Sequence, residues 1–290
     1  MANYKITFRV DGQVVTEEDI RAVELQRYHH VFKIFDAKAI PITLDNQILD
    51  LESLLQLPLE NAKVALAETR EKIGKQKMLT LFQSEIEESN DMWREIALAS
   101  PNPQKYQAGI VEVETENISL VQFMMFNQLL AKKNNLYLPS TIHPEHYYFD
   151  ANSKGEQTII ETFGMYKEPS YLDLRPDSDI KYPIAPDHNV SLVMAGKTYL
   201  KSLNIDTKLI GMHQLTQTTT GMKVKLGVFL PTAAPKEIVD GHKWHLMVEF
   251  NNGLHIAAEQ QPNAVQKFML EMAIKHMEKK QHVAKQVKHE

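Results

Sequence analysis

Between residues 158 and 230 the chain presents five successive stretches with strand patterning, at 158–166, 171–174, 191–200, 209–217 and 222–230. A helical period then begins after Pro235 and runs to about Glu259. Parallel neighbours need a crossover of a dozen or more residues, usually a helix, and no helical pattern separates these stretches. They therefore predict an antiparallel sheet, with Thr218-Thr219-Thr220-Gly221 as a hairpin connection between the last two. The long helix should bury its apolar stripe across the concave face of that sheet, which gives an α+β class.

Upstream, the alternation of Tyr4, Ile6, Phe8 and Val10 predicts a strand closed by the turn Asp11-Gly12. Thr16, with Asp19 three positions on, reads as the N-cap of a helix. Residues 45–73 read as packed helices interrupted at Leu57-Pro58, and 75–99 as one further helix. Ser100-Pro101-Asn102-Pro103 breaks the pattern and marks a boundary. The expected organisation is a mainly helical region over 1–104 and an α+β domain over 105–290. Within the latter, 108–113 predicts a short strand, 118–131 a buried helix, and the segment from Leu136 a loop entering an aromatic strand. The first hundred residues carry no catalytic pattern; their helices are candidates for partner binding or homo-oligomer formation.

Composition removes several function classes. A net charge of −5 and a pI near 6.2 provide no general footprint for nucleic acid. Long apolar runs of membrane-spanning length and a secretion-signal core are absent from the pattern, so a cytoplasmic protein with no membrane partner is expected. With no cysteine, any metal must be held by nitrogen and oxygen, and 12 histidines leave that open. Gly-x-Ser-x-Gly, Gly-x-x-x-x-Gly-Lys and His-Glu-x-x-His are all missing.

The chemistry concentrates instead at His245-x-x-x-Glu249 in the helix after Pro235. Residues four apart stack on one helix face, and the wheel puts Ile238, Leu246, Phe250, Ile256 and Ala257 on the same side. Asp240, Lys243, Met247 and Asn251 fall opposite. A carboxylate inside an apolar arc must be protonated, paired or bound to a cation. Further ligands must converge from elsewhere. The candidates are His146, with His143 as its rival, and Glu161, with Glu156 as its rival. Two imidazoles and two carboxylates suit zinc, and also iron or manganese. His242, on the same helix, reads as a pocket residue.

His245-Leu246-Met247-Val248-Glu249-Phe250-Asn251-Asn252 and His143-Pro144-Glu145-His146-Tyr147 resemble segments of the 2,4-diacetylphloroglucinol hydrolase and phloretin hydrolase family. The resemblance covers roughly residues 105–260. It implies a START-like helix-grip fold, a curved antiparallel sheet gripping the long C-terminal helix. It also implies a zinc-dependent hydrolase that cleaves a carbon–carbon bond between an acyl group and a phenolic ring. Residue by residue, it makes His146, Glu161, His245 and Glu249 the metal ligands and His213 the pocket histidine that handles the substrate's protons. Tyr137 could then bind a phenolic hydroxyl. A reading from another class uses the same cavity in a non-catalytic carrier of a small hydrophobic ligand.

Overall fold

The computed structural model describes residues 3–100, 105–152, 154–177 and 179–287, with side-chain surroundings as far as residue 277. The expected boundary at 101–104 lies outside these residues.

The chain opens with a hairpin, β1 (Lys5–Val10) and β2 (Gln13–Val15), turned at Asp11 (φ 51°) and Gly12 (φ 79°). Positive φ at both central residues matches the right-handed twist of the strands. Thr16 caps α1 (Glu17–Ala37) in a capping box with Asp19, as its sequence predicts. A second hairpin follows, β3 (Ile42–Leu44) and β4 (Gln47–Leu49), then α2 (Leu51–Leu55) and α3 (Leu59–Ile73). The helical reading of 45–73 therefore fails at its start. Asp45 and Asn46 both take positive φ, a turn that three-residue strands leave almost invisible to periodicity. The single helix expected over 75–99 is two, α4 (Lys75–Leu81) and α5 (Gln83–Ala99). They break at Phe82, whose ring packs 4.4 Å from that of Tyr147.

Beyond the proline-rich break come β5 (Tyr106–Glu116), α6 (Leu120–Lys133), α7 (Tyr137–Ile142), β6 (His146–Ala151) and β7 (Gln157–Glu161). The strand expected over 158–166 stops at Glu161, and Phe163–Met165 forms a single 3-10 turn. The remaining elements are β8 (Ser170–Pro176), β9 (Leu192–Leu200), β10 (Ile205–Gln217), β11 (Gly221–Pro231), α8 (Lys236–Ala258) and α9 (Ala264–Val287).

Nine strands form one antiparallel sheet in the order β2-β1-β5-β11-β10-β9-β8-β7-β6, with β2 and β6 at open edges. β1 thus pairs with β5 across the proline-rich break. Helix α8 packs on β1, β5 and β11, and on its other sides meets α1, α6 and α7. One apolar core fills the space between the sheet, α6 and α8. A second joins α1, α3, α4 and α5 to Tyr147, Tyr148 and Ile160 of β6 and β7.

This sandwiching corrects the helical wheel. Met247 and Asn251, expected on the outward arc, are each 1 % exposed, because the N-terminal helices cover the face that a lone sheet would leave to water. Two glycines set how closely α8 approaches the sheet edge. A Cβ on Gly241 would stand 1.8 Å from the Gly164 carbonyl oxygen, and one on Gly164 2.3 Å from that of Ile238. Only bare backbone fits, and it brings the end of β7 against the first turns of α8.

Candidate metal centre

His245 lies in α8 where the helix crosses the 3-10 turn, and Glu161 is the last residue of β7, immediately before that turn. His146 opens β6 and is the register partner of Glu161, with a bulge between His146 and Tyr148 re-aiming the strand. These three side chains meet. His146 Nε2 is 3.1 Å from His245 Nε2, and Glu161 Oε2 is 3.5 Å and 3.4 Å from the two nitrogens in turn. Tetrahedral ligands at zinc distances from a common ion stand about 3.3 Å apart, which is the size of this triangle. Glu249 Oε2 reaches to 4.0 Å of His245 Nε2. His143 stacks on His245 with ring centroids 3.8 Å apart, and the buried His143, His146 and His245 form a group that could hold a metal ion.

His146 points Nε2 into the triangle, and the Pro139 backbone lies beside its ring. In His143 the Nδ1 accepts from the Glu145 N–H at 3.1 Å, so a neutral ring carries its proton on Nε2. That Nε2 and His245 Nδ1 are both buried without a hydrogen-bond partner among the described residues.

Burial drives every group in the cluster toward its neutral form. Glu161 is held well above the ordinary carboxylate range by burial and then by the charges of Glu249 and Glu145, and burial raises Glu249 to about 7. Burial pulls His146 down to about 3 with help from Arg70, and lowers His143, His242 and His245 as well. Nitrogen and oxygen donors that charge reluctantly, packed at ligand separation, are what a cation would complete.

The cluster forms one wall of a cavity of about 930 Å³ whose other walls are mostly apolar. His213 on β10 lines it, accepting from the Gly227 N–H at Nδ1 (3.3 Å) and meeting the Phe250 ring edge-on. Burial lowers His213 to about 4, so the imidazole is neutral at physiological pH. His242 lines the cavity too, its ring stacked 4.1 Å from that of Phe163, in keeping with a pocket role. Glu249 is less buried than the apolar-arc argument implies: 34 % of its side chain is accessible, and it lines this cavity.

Two sequence candidates sit elsewhere. Glu156 accepts from Asn152 within the β6–β7 turn and lines none of the cavity. Tyr137 is also outside it. The Tyr137 and Leu136 N–H groups bond the Glu71 carboxylate, docking the start of α7 on α3 and placing the ring by a shallow surface pocket with Asp45 and Lys72.

The residues that sequence reasoning missed are those that hold the histidine turn. Arg70 of α3 is fully buried and donates to the carbonyls of Pro144 (2.6 Å) and His146 (3.1 Å), its guanidinium 4.7 Å over the Tyr147 ring. Arg27 of α1 forks onto the buried Glu145 carboxylate through both Nε (2.9 Å) and Nη2. Glu24 and Lys63 pair at 3.0 Å, and both bond the Asn252 side chain, which also donates to the Ile142 carbonyl. Glu145 and Asn252 stand inside the two sequence segments already singled out. No spacing rule could have found Arg27, Arg70, Glu24 or Lys63.

A scan against protein-family models and a search of curated proteins give no match to this chain.

Proposed function

We propose that this chain is a metal-dependent hydrolase, with zinc as the natural ion, that cleaves the carbon–carbon bond between an acyl group and a phenolic ring or related ketone. The observation that carries the reading is the triangle of His146, Glu161 and His245 at 3.1–3.5 Å on the wall of a large apolar cavity. His146, Glu161, His245 and Glu249 form the ligand set. The tautomer of His143 favours a hydrogen-bond donor beside the ion rather than a ligand. Packing of α8 against an antiparallel sheet is in line with the helix-grip arrangement and with the acylphloroglucinol-hydrolase resemblance.

A bound divalent cation would supply Lewis acidity for attack of water on the acyl carbonyl. The products are a carboxylic acid, which gains the hydroxyl, and a ring carbon, which gains the proton. His213 is the group to deliver that proton. It is neutral in the free protein, and a phenolate bound beside it would raise its pKa and load it. The apolar walls hold the ring.

The test is metal analysis of full-length protein purified without a histidine tag, followed by assay of acylphloroglucinol cleavage. One zinc per chain is expected, lost in His245→Ala and Glu161→Ala together with activity. Metal-free protein that cleaves the ketone would sink the mechanism, and metal-free protein that only binds apolar ligands would establish the carrier reading.

A further inference from the structure

The cavity, about 930 Å³ including its open mouth beside β9, falls within the range of about 300–1,000 Å³ of drug-sized ligand sites. Aromatic rings border the histidines, where Phe163 stacks on His242, Phe250 meets His213 and Phe123 stacks on Phe250. On the sheet side the lining around His213 is largely aliphatic, with Leu192 on β9, Leu209 and Leu215 on β10, and Val224 and Val228 on β11. Exposed lining residues such as Leu174, Pro176 and Lys181 belong to β8 and the segment after it, so the cavity reaches solvent there, while His146, Glu161 and His245 are buried.

One position on the aliphatic wall is left open. Gly211 alternates with Leu209 and His213 on the inward face of β10, and a Cβ built on it meets nothing within 4 Å. Its φ is not in the left-handed region, so backbone strain does not require glycine there. The glycines beside it on the neighbouring strands are packed: a Cβ on Gly196 would lie 2.5 Å from the Arg175 carbonyl oxygen, and one on Gly227 2.7 Å from that of Met212.

We infer that the substrate is a ketone with an extended alkyl chain, its carbonyl and ring at the histidine cluster and its chain running over the aliphatic wall past Gly211, which sets the chain length accepted. The inference rests on the hydrolase reading for the reacting group, but the chain-binding wall is independent of it.

The experiment uses the metal-loaded full chain and acylphloroglucinols carrying acetyl, octanoyl or myristoyl groups. It measures both cleavage and displacement of the fluorescent apolar probe 1-anilinonaphthalene-8-sulfonate. Each buried methylene is worth about 0.8 kcal/mol, or about fourfold, so kcat/KM and displacement affinity should rise at least tenfold from acetyl to octanoyl. Gly211→Phe should cut the ratio of long-chain to acetyl affinity at least tenfold, and Gly211→Ala should move it less in the same direction. The alanine variant keeps the test valid if the phenylalanine variant does not fold. Chain-length dependence of binding without cleavage would uphold the chain-binding wall and overturn the hydrolase reading. Cleavage with no length dependence would do the reverse. A ratio unmoved by both substitutions would overturn the assignment of Gly211.

Discussion

His245 and Glu249 stand one turn apart on α8, so the helix repeat alone puts them on one face. His143 caps the end of α7 and His146 opens β6, so the irregular turn at Pro144-Glu145, which no repeat predicts, sets how the two rings meet. That turn is held by cations from helices about seventy and more residues earlier, Arg70 on its carbonyls and Arg27 on the Glu145 carboxylate. The contrast shows how one cluster can draw on two kinds of order. Regular backbone sets the facing of His245 and Glu249 at little cost, whereas the turn between His143 and His146 is held by buried ionic bracing. It also gives the N-terminal helices a task that their sequence does not advertise.

The sharpest way to break this comparison is to remove the brace and leave the ligands. Arg70→Met should destabilise the protein by about 4 kcal/mol in urea unfolding, since two buried carbonyls lose a charged donor. It should also weaken metal affinity about 10- to 100-fold in chelator competition, as removal of a group that orients ligands does. Unchanged metal affinity in a folded variant would mean that the turn is ordered without the clamp.

Lys63→Met tests the neighbouring brace and should cost about 3 kcal/mol, because it strips the cation from the buried Glu24 carboxylate and leaves Asn252 bonded on one side only. A loss under about 1 kcal/mol would show that Glu24 is carried neutral, as its burial-raised pKa allows.

On the helical side the effect has the opposite sign. In the metal-free protein the Glu249 pKa, raised to about 7, lies above its unfolded value. The fold therefore binds the proton more tightly, and stability is lost as pH rises from about 4.3 through 7. Glu249→Gln should stabilise metal-free protein at pH 8 by about 2 kcal/mol, a figure reduced for the accessible part of the side chain, while weakening metal binding. Equal stability of the two proteins at pH 8 would place the carboxylate in a better-solvated setting.

The smallest effect belongs to an arginine that shares α1 with Arg27. Arg21 reaches Glu60 at 2.5 Å, but both side chains are well exposed, at 37 % and 65 %. Arg21→Ala should cost less than about 1 kcal/mol in the same unfolding assay. A larger loss would erase the distinction between surface pairing and buried clamping.

Much of the sheet was legible in the chain, since β8 to β11 and α8 each carry a clear period. Of these, β9, β11 and α8 run close to their expected limits, whereas β10 begins earlier, at Ile205, and β8 extends to Pro176. The β3–β4 hairpin and the break at Phe82 were not, because three-residue strands show no period and the break follows from a ring packing on Tyr147, far along the chain. Tyr137 was misplaced for a similar reason: Glu71, a non-local partner, decides where the start of α7 docks.

By itself the sequence determined the donor chemistry, nitrogen and oxygen without thiolate, and the facing of His245 with Glu249, because composition and helical repeat are local properties. Convergence of those two with His146 and Glu161 depended on β6–β7 pairing, on backbone contact at Gly164 and Gly241, and on two arginines from the N-terminal helices. Only tertiary structure could decide these, since packing and charge pairing act through space between residues whose separation along the chain carries no signal.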